Sequence, residues 1–308
     1  MRAFRPVTLI LFFAASGAVG QQSTGPVPSD RSQPPKPLST NPLIVEADRW
    51  YGRRQEGRVG ARAAAGPINQ AIAGYEEAAR DPDFVEPRWK LARALYFKGI
   101  YTGLDEDSKK AVFQKAKRVS DDAIAILGAS LEKRGIKGFL DFGPELLAGN
   151  LKDRSDAAPS YFWAAVSWGE WALAVGKVEA AKTGAAEKVR DDGLTVIGID
   201  HDFEEGGGYR VVGRLHDQAP WIPFITGWVS HSEAIKYLRL AMQVNNRNFV
   251  NRHFLAEALY HGDAKERAEG IALEEALLAD APSPQHLVEE IKIQEDARQN
   301  LSVWKRAS

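Results

Sequence analysis

The side chains able to do chemistry in this sequence are scattered along it. Six histidines are present, His201, His216, His231, His253, His261 and His286. None belongs to an HExxH pair that would set two imidazoles on one helical face around zinc. His201 and His216 are each followed by aspartate, but sequence neighbours point in different directions on a helix. Cysteine is absent, which removes thiolate metal ligands, thiol nucleophiles and disulfides together. No GxSxG elbow exposes a serine nucleophile. Gly208 and Gly213 stand at phosphate-loop spacing, yet Arg214-Leu215 follows where that chemistry needs lysine and a hydroxyl residue. Asp141-Phe142-Gly143 spells a kinase tripeptide with no accompanying kinase element. This inventory leads to the expectation of a binding protein, with no catalytic residue, metal or cofactor. An enzyme would need a buried histidine and carboxylate cluster around His201 and His216 that no arginine neutralises.

Residues suited to binding fall in three places. Gly206, Gly207 and Gly208 permit a sharp backbone turn, after which Tyr209, Val212 and His216 share one helical stripe and Arg210 and Arg214 another. Two arginines near a helix start are unfavourable unless they meet an anion or a buried carboxylate; Glu204 and Glu205 are the nearest candidates. Trp163, Trp168 and Trp171 lie on one aromatic-rich helix, either as packing between helices or as a ligand surface. The apolar, proline-broken residues 220–228 read as a surface loop, whose Trp221, Phe224 and Trp228 suit a partner, a self-association contact or a greasy ligand.

Helices must position these groups. From Leu43 onward, alanine, leucine and charged residues recur at three- and four-residue spacings. Ala71, Tyr75 and Ala78 share a face in residues 67–80, which end at Asp81-Pro82. Trp89, Ala92 and Tyr96 share one after Pro87. These spacings follow the tetratricopeptide pattern of paired helices with small contact residues. The pattern returns with Ala234, Leu238 and Ala241, then with Phe254, Leu255, Ala258 and Leu259, then with Ala268, Ala272 and Ala276 in residues 264–278. The best strand candidate, residues 194–199, could equally close a helix. The fold class expected is all-α, an α-solenoid of degenerate tetratricopeptide-like hairpins with irregular insertions.

Ahead of the helices, Arg2 and Arg5 precede an apolar run and the small residues Ser16, Gly17 and Ala18, the layout of a signal peptide. Residues 1–20 are expected to be removed, by cleavage after Gly20 or after Ala18; an N-terminal anchor or a buried helix is the other reading. Losing the two arginines takes the formal charge from −1 to −3, a balance with no sign of nucleic-acid binding. Residues 21–42, rich in proline, read as a flexible linker, and residues 43–308 as the helical-repeat domain. The chain is expected to be extracytoplasmic, without a lipid on cysteine and without a membrane span once the signal is gone.

Residues 205–215 (Glu-Gly-Gly-Gly-Tyr-Arg-Val-Val-Gly-Arg-Leu), Ala219-Pro220, the helix of residues 232–242, Asn251 with residues 255–259, and the aromatic residues 161–165 with Trp168-Gly169 together resemble the T-component proteins of TRAP transporters, the TatT family. The likeness covers residues 160–281. It implies an all-helical periplasmic protein of cryptic tetratricopeptide-like hairpins, a homo-oligomer such as a trimer around a central pore, docking a periplasmic solute-binding protein and carrying a small organic, hydrophobic cargo. The residues by themselves also fit a general tetratricopeptide scaffold that binds peptides in the cell envelope. An enclosed apolar cavity near Trp163, Trp168 and Trp171 would favour transport, an open polar groove the scaffold.

Overall fold

The computed structural model describes residues 39–223 and 225–307. The expected signal sequence and most of the linker, residues 21–38, lie outside the described residues, as does Phe224. The described chain is all-α and solenoid-like, most helices packing chiefly on helices near them in sequence. Asn41 caps the first helix, α1 (Pro42–Gly52), by accepting from the Leu43 amide at 2.9 Å. Pro42 is thus the first helical residue rather than the end of the linker, where its missing N–H costs nothing.

The two expected helices near the start are present as a hairpin. In α2 (Ala65–Ala78), Ala71, Tyr75 and Ala78 are buried; in α3 (Glu86–Tyr101), Ala92 and Tyr96 are, with Trp89 half-buried at the edge. The long α4 (Glu106–Lys133) packs on α3 and on α6 (Ala157–Val175), after the short α5 (Pro144–Leu151). Then follow α7 (Lys177–Lys182), α8 (Ala185–Ile199) and α9 (Gly207–Gln218). Residues 194–199 close α8 as its last turns, and no strand occurs among the described residues. No helix among them is long and apolar enough to cross a membrane.

The late hairpins are α10 (His231–Val244) with α11 (Phe249–Tyr260), and α12 (Ala264–Ala279) with α13 (Leu287–Ala307). Ala234, Leu238 and Ala241 form the buried stripe of α10 as expected. In α12 the expectation is corrected. Ala268, Ala272 and Ala276 face solvent, while Gly270, Glu274 and Leu277 are buried. A side chain at Gly270 would start 2.6 Å from the Ala256 carbonyl, so only glycine lets α12 lie this close to α11. Glu274 is drawn inward by His253, whose Nδ1 lies 2.8 Å from its Oε1.

The two ends of the described chain meet. Gln55, in the turn after α1, accepts from the Leu287 amide at 3.0 Å and donates to the Pro284 carbonyl at 2.6 Å, capping α13 from the far end of the sequence. Arg54 adds a buried ion pair with Glu289 at 2.8 Å and a bond to the Gln285 carbonyl at 2.9 Å.

Candidate functional site

The turn into α9 is built from three consecutive left-handed residues, Glu204 (φ 51°), Glu205 (φ 56°) and Gly206 (φ 85°). Two of them are not glycine, a conformation that persists only where surrounding structure holds it. Here α9 and α11 supply the hold. Arg210 Nη2 donates to the Glu204 carbonyl at 3.0 Å, and Asn251 Nδ2 donates to the Glu205 carbonyl at 3.0 Å. Asn248 Nδ2 donates to Glu205 Oε2 at 2.5 Å, and Asn251 Oδ1 accepts from Arg210 Nη1 at 2.7 Å. Asn248 also caps α11, accepting from the Val250 and Asn251 amides. Asn248→Ala removes cap and brace together and is expected to lower stability by about 1–2 kcal/mol, read as a lower urea midpoint at unchanged slope.

Arg210 therefore serves the turn. It is fully buried, and burial pushes its guanidinium down to about 10 against the pull of Glu204 and Glu205. Arg214, one turn on, is also buried and forms ion pairs with Glu257 at 2.7 Å and Asp217 at 3.1 Å. As candidate ligand contacts the two separate, since Arg214 is among the residues lining a cavity between α6, α8 and α9 and Arg210 is not. Tyr209 is half-buried on the other face of α9. The motif glycines set helix spacing: side chains at Gly206, Gly207, Gly208 and Gly213 would start 2.7 to 3.0 Å from α10, Phe162, α8 and Leu238 respectively.

The three tryptophans of the aromatic helix serve packing rather than a cavity wall. Trp163 is 1% exposed and lies against Tyr96 and Phe162. Trp168 and Trp171 fasten α6 to α4, donating to Asp121 Oδ1 at 2.7 Å and Gln114 Oε1 at 2.6 Å, with the Lys117 ammonium 3.7 Å from the Trp168 ring centre.

The next face of α6, Gly169, Ala172 and Leu173, opens on a partly enclosed cavity of about 110 Å³. Ala180 of α7, Ala185 and Val189 of α8, and Val211 and Leu215 of α9 complete its apolar wall. The loop of residues 220–228 closes one side with Pro220, Ile222, Ile225 and Thr226. Thr226 staples that loop, accepting from the Ile222 amide at 2.9 Å and donating to the Pro220 carbonyl. Trp221 is 63% exposed and is not among the residues that line the cavity, while Trp228 packs on His216 and lies under the Arg190 guanidinium. Nothing in the sequence marked this cavity except the loop, because its alanines, valines and leucines read like any other core residues.

The histidine and carboxylate cluster that an enzyme would need does not form around His201 and His216. His201 meets only its exposed neighbour Asp202, at 3.6 Å, and His216 accepts from the Ser230 amide at 3.2 Å. A buried network does form, centred on Glu257, and Arg214 neutralises it. His253 lies 2.8 Å from Glu274 and 3.7 Å from Glu257, Asn300 donates to both carboxylates, and His261 closes on Asp217 at 2.8 Å. Among the described residues no group of three or more such side chains is placed to hold a metal ion.

No protein-family model matches this chain, and no curated protein does.

Proposed function

We propose that this chain is an extracytoplasmic helical-repeat binding protein, the accessory component of a TRAP-type transporter, which holds a small organic molecule and docks a periplasmic solute-binding protein. The observation that carries the reading is the cavity between α6, α8 and α9, apolar on every helix and closed on one side by the proline loop. A peptide scaffold calls for an open polar groove; a pocket of this form is the ordinary setting for a small apolar ligand. The likeness of residues 160–281 to the TatT family supplies the transporter context. The exposed Trp221 and Ile225 beside the cavity mouth suit a docking contact.

Two measurements test the reading. Toluene titrated into the purified full chain is expected to raise its melting temperature by binding at the cavity. The tagged chain, cross-linked in a periplasmic extract, is expected to capture a solute-binding protein, and Trp221→Ala to weaken that capture at least fivefold. No stabilisation by toluene removes the ligand half; repeated capture of unrelated proteins alone removes the transporter half.

A further inference from the structure

A second cavity, of about 400 Å³, lies between α4, α8 and the short helical turn Phe139–Asp141 and shares no lining residue with the one described above. Its volume is in the range of small-molecule pockets. Ile124, Ala125 and Ala129 of α4 give it an apolar wall, which Phe139 continues. The Phe139 ring is seated against Gly128, where any side chain would collide with it. Glycine weakens a helix interior, and here it makes room for the ring.

Three charged side chains complete the wall, Asp121, Lys188 and Glu132. Two of them are already paired. Lys188 Nζ donates to both carboxylate oxygens of the buried Asp192, at 2.5 and 2.6 Å. Asp121 accepts from Trp168 Nε1 at 2.7 Å and from Lys117 Nζ at 3.1 Å. The Glu132 carboxylate is exposed to solvent and makes no hydrogen bond or ion pair among the described residues. Its position is unfavourable as well, one residue before the end of α4 (Glu106–Lys133), where the helix dipole attracts cations and opposes an anion. The cations next to it in sequence are engaged elsewhere, Lys133 with Asp83 at 3.8 Å and Arg134 with the Asn150 carbonyl at 3.4 Å, and neither lines the cavity.

Charge decides what fits. An anion entering here meets a lysine already committed to Asp192 and a free carboxylate that repels it. An uncharged compound gains the apolar contacts alone and leaves Glu132 as it was. An ammonium ion is attracted by Glu132, by the carbonyl end of α4 and by the face of an aromatic ring such as Phe139, while its hydrocarbon part covers Ile124, Ala125 and Ala129. We infer that this cavity is a second binding site, for an organic ammonium ion with an apolar body of one or two rings, its charge held by Glu132. The site stands independently of the ligand reading for the cavity between α6, α8 and α9.

Naphthylmethylammonium, naphthylmethanol and naphthoate share a ring system and differ in charge, and each is titrated calorimetrically into the full chain at low and at high salt. At low salt the ammonium is expected to bind at least fivefold tighter than the alcohol, the joint pull of an exposed carboxylate and a ring face, and naphthoate to bind weakest. High salt is expected to shrink that preference, because Glu132 is exposed and its field is screened. Glu132→Gln is expected to bring the ammonium within twofold of the alcohol and to leave the alcohol unchanged. Phe139→Leu, which keeps the wall apolar, is expected to weaken the ammonium more than the alcohol. Ala125→Trp and Ala129→Trp, both at exposed positions, fill the cavity from α4 and are expected to weaken ammonium and alcohol alike at least tenfold with circular dichroism unchanged. Alcohol or naphthoate binding as tightly as the ammonium, a preference that survives Glu132→Gln, binding that survives both tryptophan variants with the fold intact, or no binding of any of the three would each overturn the assignment.

Discussion

Gly208→Val is expected to lower the stability of this protein by about 3 kcal/mol, the upper part of the usual range for overpacking. The reason lies in what the new side chain meets. Its Cβ would start 2.8 Å from Ile197 Cγ1, 3.0 Å from the Gly193 carbonyl and 3.1 Å from the Ile197 amide. Two of those three are backbone of α8, which cannot turn aside as a rotamer does, so α8 and α9 must separate. Gly193 faces the same contact from the other side, 2.8 Å from Val212 Cγ2, and offers no room. Valine itself is a better helix former than glycine by a few tenths of a kcal/mol, which does not offset the loss. The contrast is Gly149→Ala in α5, where nothing lies within 4 Å. That change is expected to raise stability by about 0.5–1 kcal/mol, the ordinary helix gain. Denaturant midpoints of the two variants should therefore move in opposite directions at constant slope.

How far the sequence foretells this structure depends on how local the signal is. The hairpin faces of α2, α3 and α10 are legible because each is written within one helix, as in Ala234, Leu238 and Ala241. The face of α12 is not. Alanine is tolerated both inside and outside, so Ala268, Ala272 and Ala276 specify no side, and the residue that decides, Glu274, is buried by a partner 21 positions away. The glycine turn was legible as a turn, whereas its left-handed glutamates were not, because they depend on Asn248 and Asn251 in α11. Trp168 and Trp171 were ambiguous for the same reason: their polar partners, Asp121 and Gln114, sit 47 and 57 residues earlier. The cavity draws its wall from five segments, α6, α7, α8, α9 and the loop of residues 220–228, and its alanines, valines and leucines carry no mark that separates them from core residues until the helices are packed.

The other large effect is expected at Glu257, the carboxylate that touches both Arg214 and His253. Glu257→Leu leaves Arg214 with Asp217 alone, His253 with Glu274 alone, and one of the two carboxylate contacts of Asn300 unmade. Breaking a buried network by removing one member costs about 3–5 kcal/mol, because the remaining charges stay buried. The loss should also depend on pH, with a sign that can be worked out. Burial alone would lower the His253 imidazolium, but Glu274 and then Glu257 overcome it and hold the ring up to about 9. Its folded value therefore lies above the ordinary value near 6.5. The stability it contributes is complete below about pH 6.5 and is lost as pH rises through about 9, a change on the order of 3 kcal/mol. Burial would raise the Glu257 carboxyl, yet Arg214 and His253 hold it down at about 2, so its own contribution is complete above about pH 4.5 and is lost only as pH falls through 2. Between pH 6 and pH 9.5 the Glu257 carboxylate is charged throughout, and the members of the network that titrate are His253 and His261, the latter raised by its bond to Asp217 with Glu257 acting in the same direction. Without Glu257 both rings are held up less strongly, so Glu257→Leu should lose less stability over that interval than the unaltered chain does. Groups outside the network, such as Glu290, raised by burial to about 7, titrate in both proteins and cancel in the comparison. Urea midpoints measured at pH 6 and pH 9.5 decide it: a smaller alkaline decrement in the variant supports the network, and equal decrements would mean that His253 draws its charge from Glu274 alone.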